Sequence, residues 1–194
     1  MAALQDTEML TTVHEPSVRE KLFFLASGMI MSIPFTLFVE SLSAYFLSIR
    51  LLGFYATIFS TAIIAPVVEE FAKAYPLFYR HGETEKSLFT LGFLVGLGFG
   101  FIEFLLYIFV YAAPIIIRLP ALLFHATNTS ITAYGISTKR TAQFYLVAVF
   151  LHFLNNFSAQ FGLFWFVGGV VAIAASYLLS WRLHRRTLAK VISR

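Results

Sequence analysis

Apolar runs of near-membrane length, separated by short polar breaks, recur from Leu22 to Trp181. Coiled into a helix, about 20 such residues cross the ~30 Å hydrocarbon core of a bilayer. The pattern predicts six spans: Leu22–Phe46, Leu52–Tyr79, Ser87–Ala112, Ile117–Ser137, Thr141–Phe157 and Phe161–Trp181. The expected fold is therefore an all-α, polytopic transmembrane helical bundle. Pro34, Glu40, Pro66 and Pro76 interrupt the first two spans, and Glu40 to Gly53 reads equally as a bend or a re-entrant segment. Residues 1–21 form a polar N-terminal tail, 22–181 the membrane domain and 182–194 a basic C-terminal tail. The polar stretch before Arg19 lacks an apolar core, so the first span is expected to be retained and not cleaved as a signal peptide.

Composition strengthens this picture. Of 194 residues, 59% are hydrophobic and 12% charged, too apolar a balance for a soluble domain. With the N-terminus inside, Arg19, Lys21, Arg80, Lys86, Lys139, Arg140, Arg182, Arg185, Arg186, Lys190 and Arg194 all fall on the cytoplasmic side. Only Arg50 and Arg118 fall outside, and Lys73 is left within the membrane. That asymmetry predicts an integral cell-membrane protein with both termini cytoplasmic. The net charge of +4 does not point to nucleic acid, because the basic residues lie between spans. The chain has no cysteine, which excludes disulfides, thiolate metal sites and a cysteine nucleophile.

What remains polar inside the spans is a small set: Glu69, Glu70 and Lys73; Glu103; His125; and His152 with Asn156. A charge at the bilayer centre costs roughly 2.5–3.5 kcal/mol on insertion scales, so these groups require a reason. At ~1.5 Å per residue, Glu70 lies about 15 Å from Arg80, and His152 about 18 Å from Arg140. Glu103 lies about 25 Å from Lys86 and His125 about 21 Å from Lys139 by the same rule. The four stations thus fall at comparable depth, in the middle to outer part of the ~30 Å core, and are expected to form one site.

Spacing suggests local pairings. Glu69 and Lys73 are i,i+4 and are expected to pair, leaving Glu70 free to face a cavity. His152 and Asn156 are also i,i+4, and Asn128 follows His125 closely enough to lie beside it. Gly92, Gly96 and Gly100 predict close helix packing, which is expected to bring Glu103 against the glutamate helix. Glu40 reads as a site-lining or a snorkelling residue, and His14, His81 and His184 as solvated ones.

Two carboxylates and two imidazoles in a partly dry cavity suit acid–base chemistry. One carboxyl of a close pair keeps its proton while the other acts as base on a trapped water. An imidazole and an amide can then stabilise a developing oxyanion. This is peptide hydrolysis without a serine or cysteine nucleophile. The H-E-x-x-H metal signature is absent, so no cofactor is expected, although a divalent metal is not excluded. The same residues could instead relay protons or cations in a coupled transporter, or line a catalytically dead scaffold that holds a single-pass partner. No internal repeat is present, which weighs against the transporter.

The motifs resemble those of the PrsW intramembrane proteases. Glu69-Glu70-Phe71-Ala72-Lys73 is similar to that family's E-E-x-x-K element, and Phe99 to Glu103 to its F-x-x-x-E element. His125, and His152 in HFLNN, correspond to its later histidines, so the resemblance runs from about Ala65 to Asn156. The related CAAX prenyl endopeptidases and Abi proteins usually carry Arg after the glutamate pair and His at the station of Glu103. Val68 stands where some PrsW proteins have a third glutamate. The resemblance implies intramembrane proteolysis of a single-pass or membrane-anchored protein, such as an anti-sigma factor. It also implies that Glu69 or Glu70 activates water, and that His152 and Asn156 stabilise the oxyanion.

Overall fold

The computed structural model describes residues 15–79, 84–187 and 192. Arg80, Lys190, Arg194, His14 and His81, with most of both tails, lie outside the described residues. Six helices follow one another: α1 Val18–Ser48, α2 Gly53–Tyr79, α3 Glu85–Phe109, α4 Ile115–Ser137, α5 Thr141–Ala159 and α6 Leu163–His184. They match the six expected spans, with no strand among the described residues. Stretches of α1, α2, α3 and α6 are long and apolar enough to cross a membrane. In α4, the buried His125, Asn128, Thr129, Ser130 and Thr132 make the helix more polar. Large apolar side chains such as Phe38, Phe109, Leu146 and Val171 cover the outside, as lipid contact requires.

Local chemistry sets where helices begin. Ser17 and Glu20 form a reciprocal cap at the start of α1, and Thr84 and Ser87 do the same for α3. The first two helices are each continuous, and the chain turns between them at residues 49–52, which is the bend expected within Glu40 to Gly53. Pro34 and Pro66 are each absorbed through a widened π-helical turn ending two residues before, Gly28–Ser32 and Phe59–Ile64, whereas Pro76 lies within ordinary α-helix. In the second turn the Ala65 N–H reaches back to the Ser60 carbonyl, so the next carbonyl, Thr61, would need a donor from Pro66, which has none. Asn156 on α5 donates to Thr61 O instead, at 3.0 Å. Gln160 reaches the Thr61 hydroxyl at 3.2 Å, and Tyr145 donates to Val67 O at 2.7 Å. These bonds pin α5 along α2 on either side of His152.

Close approach, in turn, sets which helices are neighbours. A Cβ on Gly96 would lie on the His125 carbonyl and 2.7 Å from Ala126 Cα, so α3 meets α4 backbone to backbone. The glycine stripe therefore packs mainly against the His125 helix, and the glutamate helix, which its spacing alone suggested, touches it through Leu77 at Gly92. Gly28 of α1 and Gly98 of α3 make the same kind of contact, each against the other helix's carbonyls. Gly96→Val should destabilise the bundle by about 1–3 kcal/mol through overpacking, visible as a lower melting temperature in detergent. Asn128, expected beside His125, instead donates to Ala148 O at 3.0 Å and accepts from Ser176 at 2.9 Å. It fastens α4 to α5 and α6.

Candidate active site

Five helices deliver ionisable side chains to one place: Glu40 from α1, Glu69, Glu70 and Lys73 from α2, Glu103 from α3, His125 from α4 and His152 from α5. Lys73 is at the centre and fully buried. Its ammonium donates to Glu70 Oε1 at 2.7 Å and to His125 Nδ1 at 3.0 Å, and lies 3.6 Å from Glu69 Oε2. It also faces the Phe99 ring at 4.5 Å, where the π electrons add to its stabilisation.

The expected pairing is thus reversed. Glu70, not Glu69, is the close partner of Lys73, and it has no exposure. The reason is tertiary. Besides Lys73, Glu70 Oε1 meets the His152 Nδ1–H at 2.8 Å, a donor presented by α5 once Tyr145 and Asn156 have fixed that helix. Glu69 is turned toward the cavity, with Oε2 buried and free of hydrogen bonds, 3.6 Å from Lys73 Nζ and 3.8 Å from His152 Nε2.

Both imidazoles are held the same way. His152 gives one ring nitrogen to Glu70, and His125 gives its Nε2 to Glu103. A carboxylate on one nitrogen fixes the tautomer and turns the other nitrogen into a lone-pair donor, the arrangement seen behind metal-ligating histidines. The rings lie 5.2 Å apart edge to face, and Phe124 packs against both. Their outward nitrogens have different neighbours, Lys73 for His125 and Glu69 for His152.

These contacts define a fit for a cation. Glu69, His125 and His152 each offer a ligand atom, and the three atoms lie within 4.8 Å of one another. Two imidazoles and one carboxylate are a familiar donor set for zinc with an open position. Charge balance agrees: among the described residues, four carboxyl groups, those of Glu40, Glu69, Glu70 and Glu103, face two fixed cations, Lys73 and Arg118, besides the two imidazoles. The residues present suit a divalent ion. The earlier expectation of no cofactor rested on motif spacing, which cannot register donors that arrive from three different helices.

A cavity of about 220 Å³ opens beside this cluster, lined by Glu40, Glu69 and Glu103 together with Thr36, Phe99 and Tyr107. Glu40 is within hydrogen-bonding reach of Glu69, so it belongs to the site. Its only sequence signal was a lone acid in an apolar helix. Arg118, read as an outer-loop charge, lies within α4 against the Tyr107 ring and beside Glu103. The i,i+4 spacing of Glu103 and Tyr107 was the available hint. Asn156, grouped with His152 by spacing, has its amide on the Thr61 carbonyl.

No curated protein and no solved structure matches the chain. Residues 17–181, which include every helix that contributes to the site, match the PrsW family intramembrane metalloprotease. A buried glutamate–histidine centre inside a membrane bundle is what such an enzyme needs, and the chain belongs to the PrsW family of intramembrane metalloproteases.

Proposed function

We propose that this protein is a glutamate-dependent intramembrane endopeptidase that hydrolyses a peptide bond of single-pass or membrane-anchored proteins at the Glu69–His125–His152 centre. The observation that carries this reading is the pair of carboxylate-backed imidazoles beside Glu69, whose Oε2 makes no hydrogen bond. Glu69, His125 and His152 would hold a divalent metal, with His125 released from Lys73. When bound, the metal supplies polarisation of the scissile carbonyl and a more acidic water.

The protein's own groups do the rest. Glu103, a quarter exposed beside the cavity, takes the proton of the attacking water and returns it to the leaving amine. Glu70 keeps His152 in the tautomer that presents Nε2, and Lys73 neutralises Glu70. Asn156 serves as a positioning residue, because it satisfies the π turn that sets the height of Glu69 and Glu70. Hydrolysis needs one bond broken and one water added, with no further co-reactant. An anti-sigma factor anchored by one helix is a substrate of the right kind. Both termini are assigned to the cytoplasm on charge asymmetry, which puts the cavity toward the outer leaflet.

Metal removal tests the centre directly. Incubation with 1,10-phenanthroline should abolish cleavage of a fluorogenic single-span peptide, and added zinc should restore it. Elemental analysis of purified protein should find about one divalent ion per chain, lost in His125→Ala and His152→Ala. Undiminished cleavage in metal-free protein would refute the metal assignment. Cation flux into sealed vesicles, without peptide product, would favour the transporter.

A further inference from the structure

We propose that the α1 face bearing Thr36 and Glu40 is the substrate-binding wall, which takes the peptide as an extended strand entering from the bilayer between α1 and α3. This rests on the proteolytic reading above. The two helices are locked together at Gly28 and Gly98, where backbone meets backbone. Beyond the π turn and Pro34 they part, and the cavity fills the gap between Ile33–Glu40 on one side and the outer end of α3 on the other. Leu37 and Tyr111, on opposite sides of that gap, are 49% and 69% exposed, so its mouth faces lipid.

Thr36 and Thr132 both have a buried hydroxyl without a protein partner, and of the two Thr36 is the one that lines the cavity. Thr57, Thr61, Thr90, Thr127 and Thr129 all donate to the carbonyl four residues back, as helical threonines do. Thr36 is 3% exposed, lines the cavity, and its hydroxyl has no protein partner. One helical turn on, Glu40 Oε1 is likewise buried and accepts no hydrogen bond, although its carboxyl lies within reach of Glu69. Two adjacent turns of one helix therefore present unsatisfied acceptors toward the same space that Glu69 and Glu103 face.

A substrate helix must be unwound before a peptide bond can be cut, and its freed N–H groups have no water to bond in the bilayer. Acceptors four residues apart on a helix are separated by about 6.0 Å along its axis. Alternate residues of an extended strand repeat at about 6.6 Å. Thr36 and Glu40 are thus spaced to receive alternate N–H groups from one edge of an unwound segment, whose opposite edge, with the carbonyls of the intervening residues, would then face the Glu69–His152 pair. The apolar Ile33 and Leu37 beside them suit its side chains.

The native chain has no cysteine, which makes a single-cysteine test clean. The probe is a synthetic helix of about 20 apolar residues with one cysteine and a glycine–serine break near its outer end. Leu37→Cys and, as a lipid-facing control on α5, Leu146→Cys are each combined with Glu69→Gln and treated with a bismaleimide crosslinker. Crosslinking is expected at position 37, competed by cysteine-free peptide and absent at 146. In the active enzyme, Thr36→Val should raise KM about three- to tenfold with kcat within about twofold, the worth of one hydrogen bond, and Thr36→Ser should restore it. Equal crosslinking at both positions, or an unchanged KM in Thr36→Val, would overturn the proposal. Specific crosslinking at 37 to a peptide that the wild type leaves intact would keep the binding wall and refute the protease. Cleavage without specific crosslinking would do the reverse.

Discussion

Glu69→Gln is expected to lower kcat/KM for a single-span substrate by about a thousandfold, within the range of a lost acid–base or metal-holding group, while the protein stays folded. Glu69 is the carboxylate of the buried pair that faces the cavity, and its Oε2 makes no protein hydrogen bond, only the longer ion-pair contacts to Lys73 and His152. An amide of the same shape therefore leaves the packing intact but removes the charge. Bound metal should fall in parallel. A melting temperature that drops with the activity would mean that Glu69 is structural, and near-wild-type cleavage would remove it from the centre. Glu70→Gln also forfeits activity by a different route, because His152 loses its orienting acceptor and Lys73 its counter-charge. Separating the two requires the stability measurement as well as the rate.

Lys73→Met should be the most damaging single change for stability, costing about 3–5 kcal/mol, the penalty for stranding a buried charge. Lys73 and Glu70 are both fully buried, at 2.7 Å, and Glu70 cannot reach water when its partner is removed. The double variant Glu70→Leu with Lys73→Met removes both charges and should recover most of the lost stability, since an apolar pair of similar volume is often as good as a buried ion pair. It should nevertheless be inactive, because nothing then fixes the His152 tautomer. Thermal unfolding in detergent, run beside the peptide assay, checks both statements. A stable, active Lys73→Met protein would remove Lys73 from the centre of the site.

Much of the architecture was legible in the chain. Helical spans declare themselves through length and apolarity, because the bilayer demands about 20 residues of apolar helix whatever the neighbours are. Prolines were legible as interruptions, but their consequence was not. Pro34 and Pro66 are absorbed by π turns, and that depends on whether a neighbouring helix can supply the missing donor. For Thr61 it is Asn156, 95 residues away.

The candidate residues Glu69, Glu70, Lys73, Glu103, His125 and His152 were visible for the same reason as the spans. An ionisable group in an apolar run is costly, so its presence is information. Their comparable depth followed from helical rise. Their pairing did not. Periodicity gave Lys73 two acceptable partners, at three and four residues, and only the histidine arriving from α5 decided that Glu70 would be enclosed and Glu69 left open. Glu40 was left between two readings, and Arg118 and Thr36 were not singled out for the site, because each is unremarkable within its own helix and acquires meaning only across the gap between helices.

The sequence by itself therefore determined the helices, their approximate limits and the inventory of groups that needed partners. Those properties follow from transfer of each segment into lipid, a one-dimensional matter of length and polarity. The tertiary structure alone decided which carboxylate faces the cavity, that the donors of three helices converge within metal-binding reach, and where the bundle opens toward the membrane. These are set by close packing at Gly28, Gly96 and Gly98 and by single hydrogen bonds between distant helices. Such contacts depend on side-chain direction and helix height to within about an ångström, and no periodicity along the chain carries that precision.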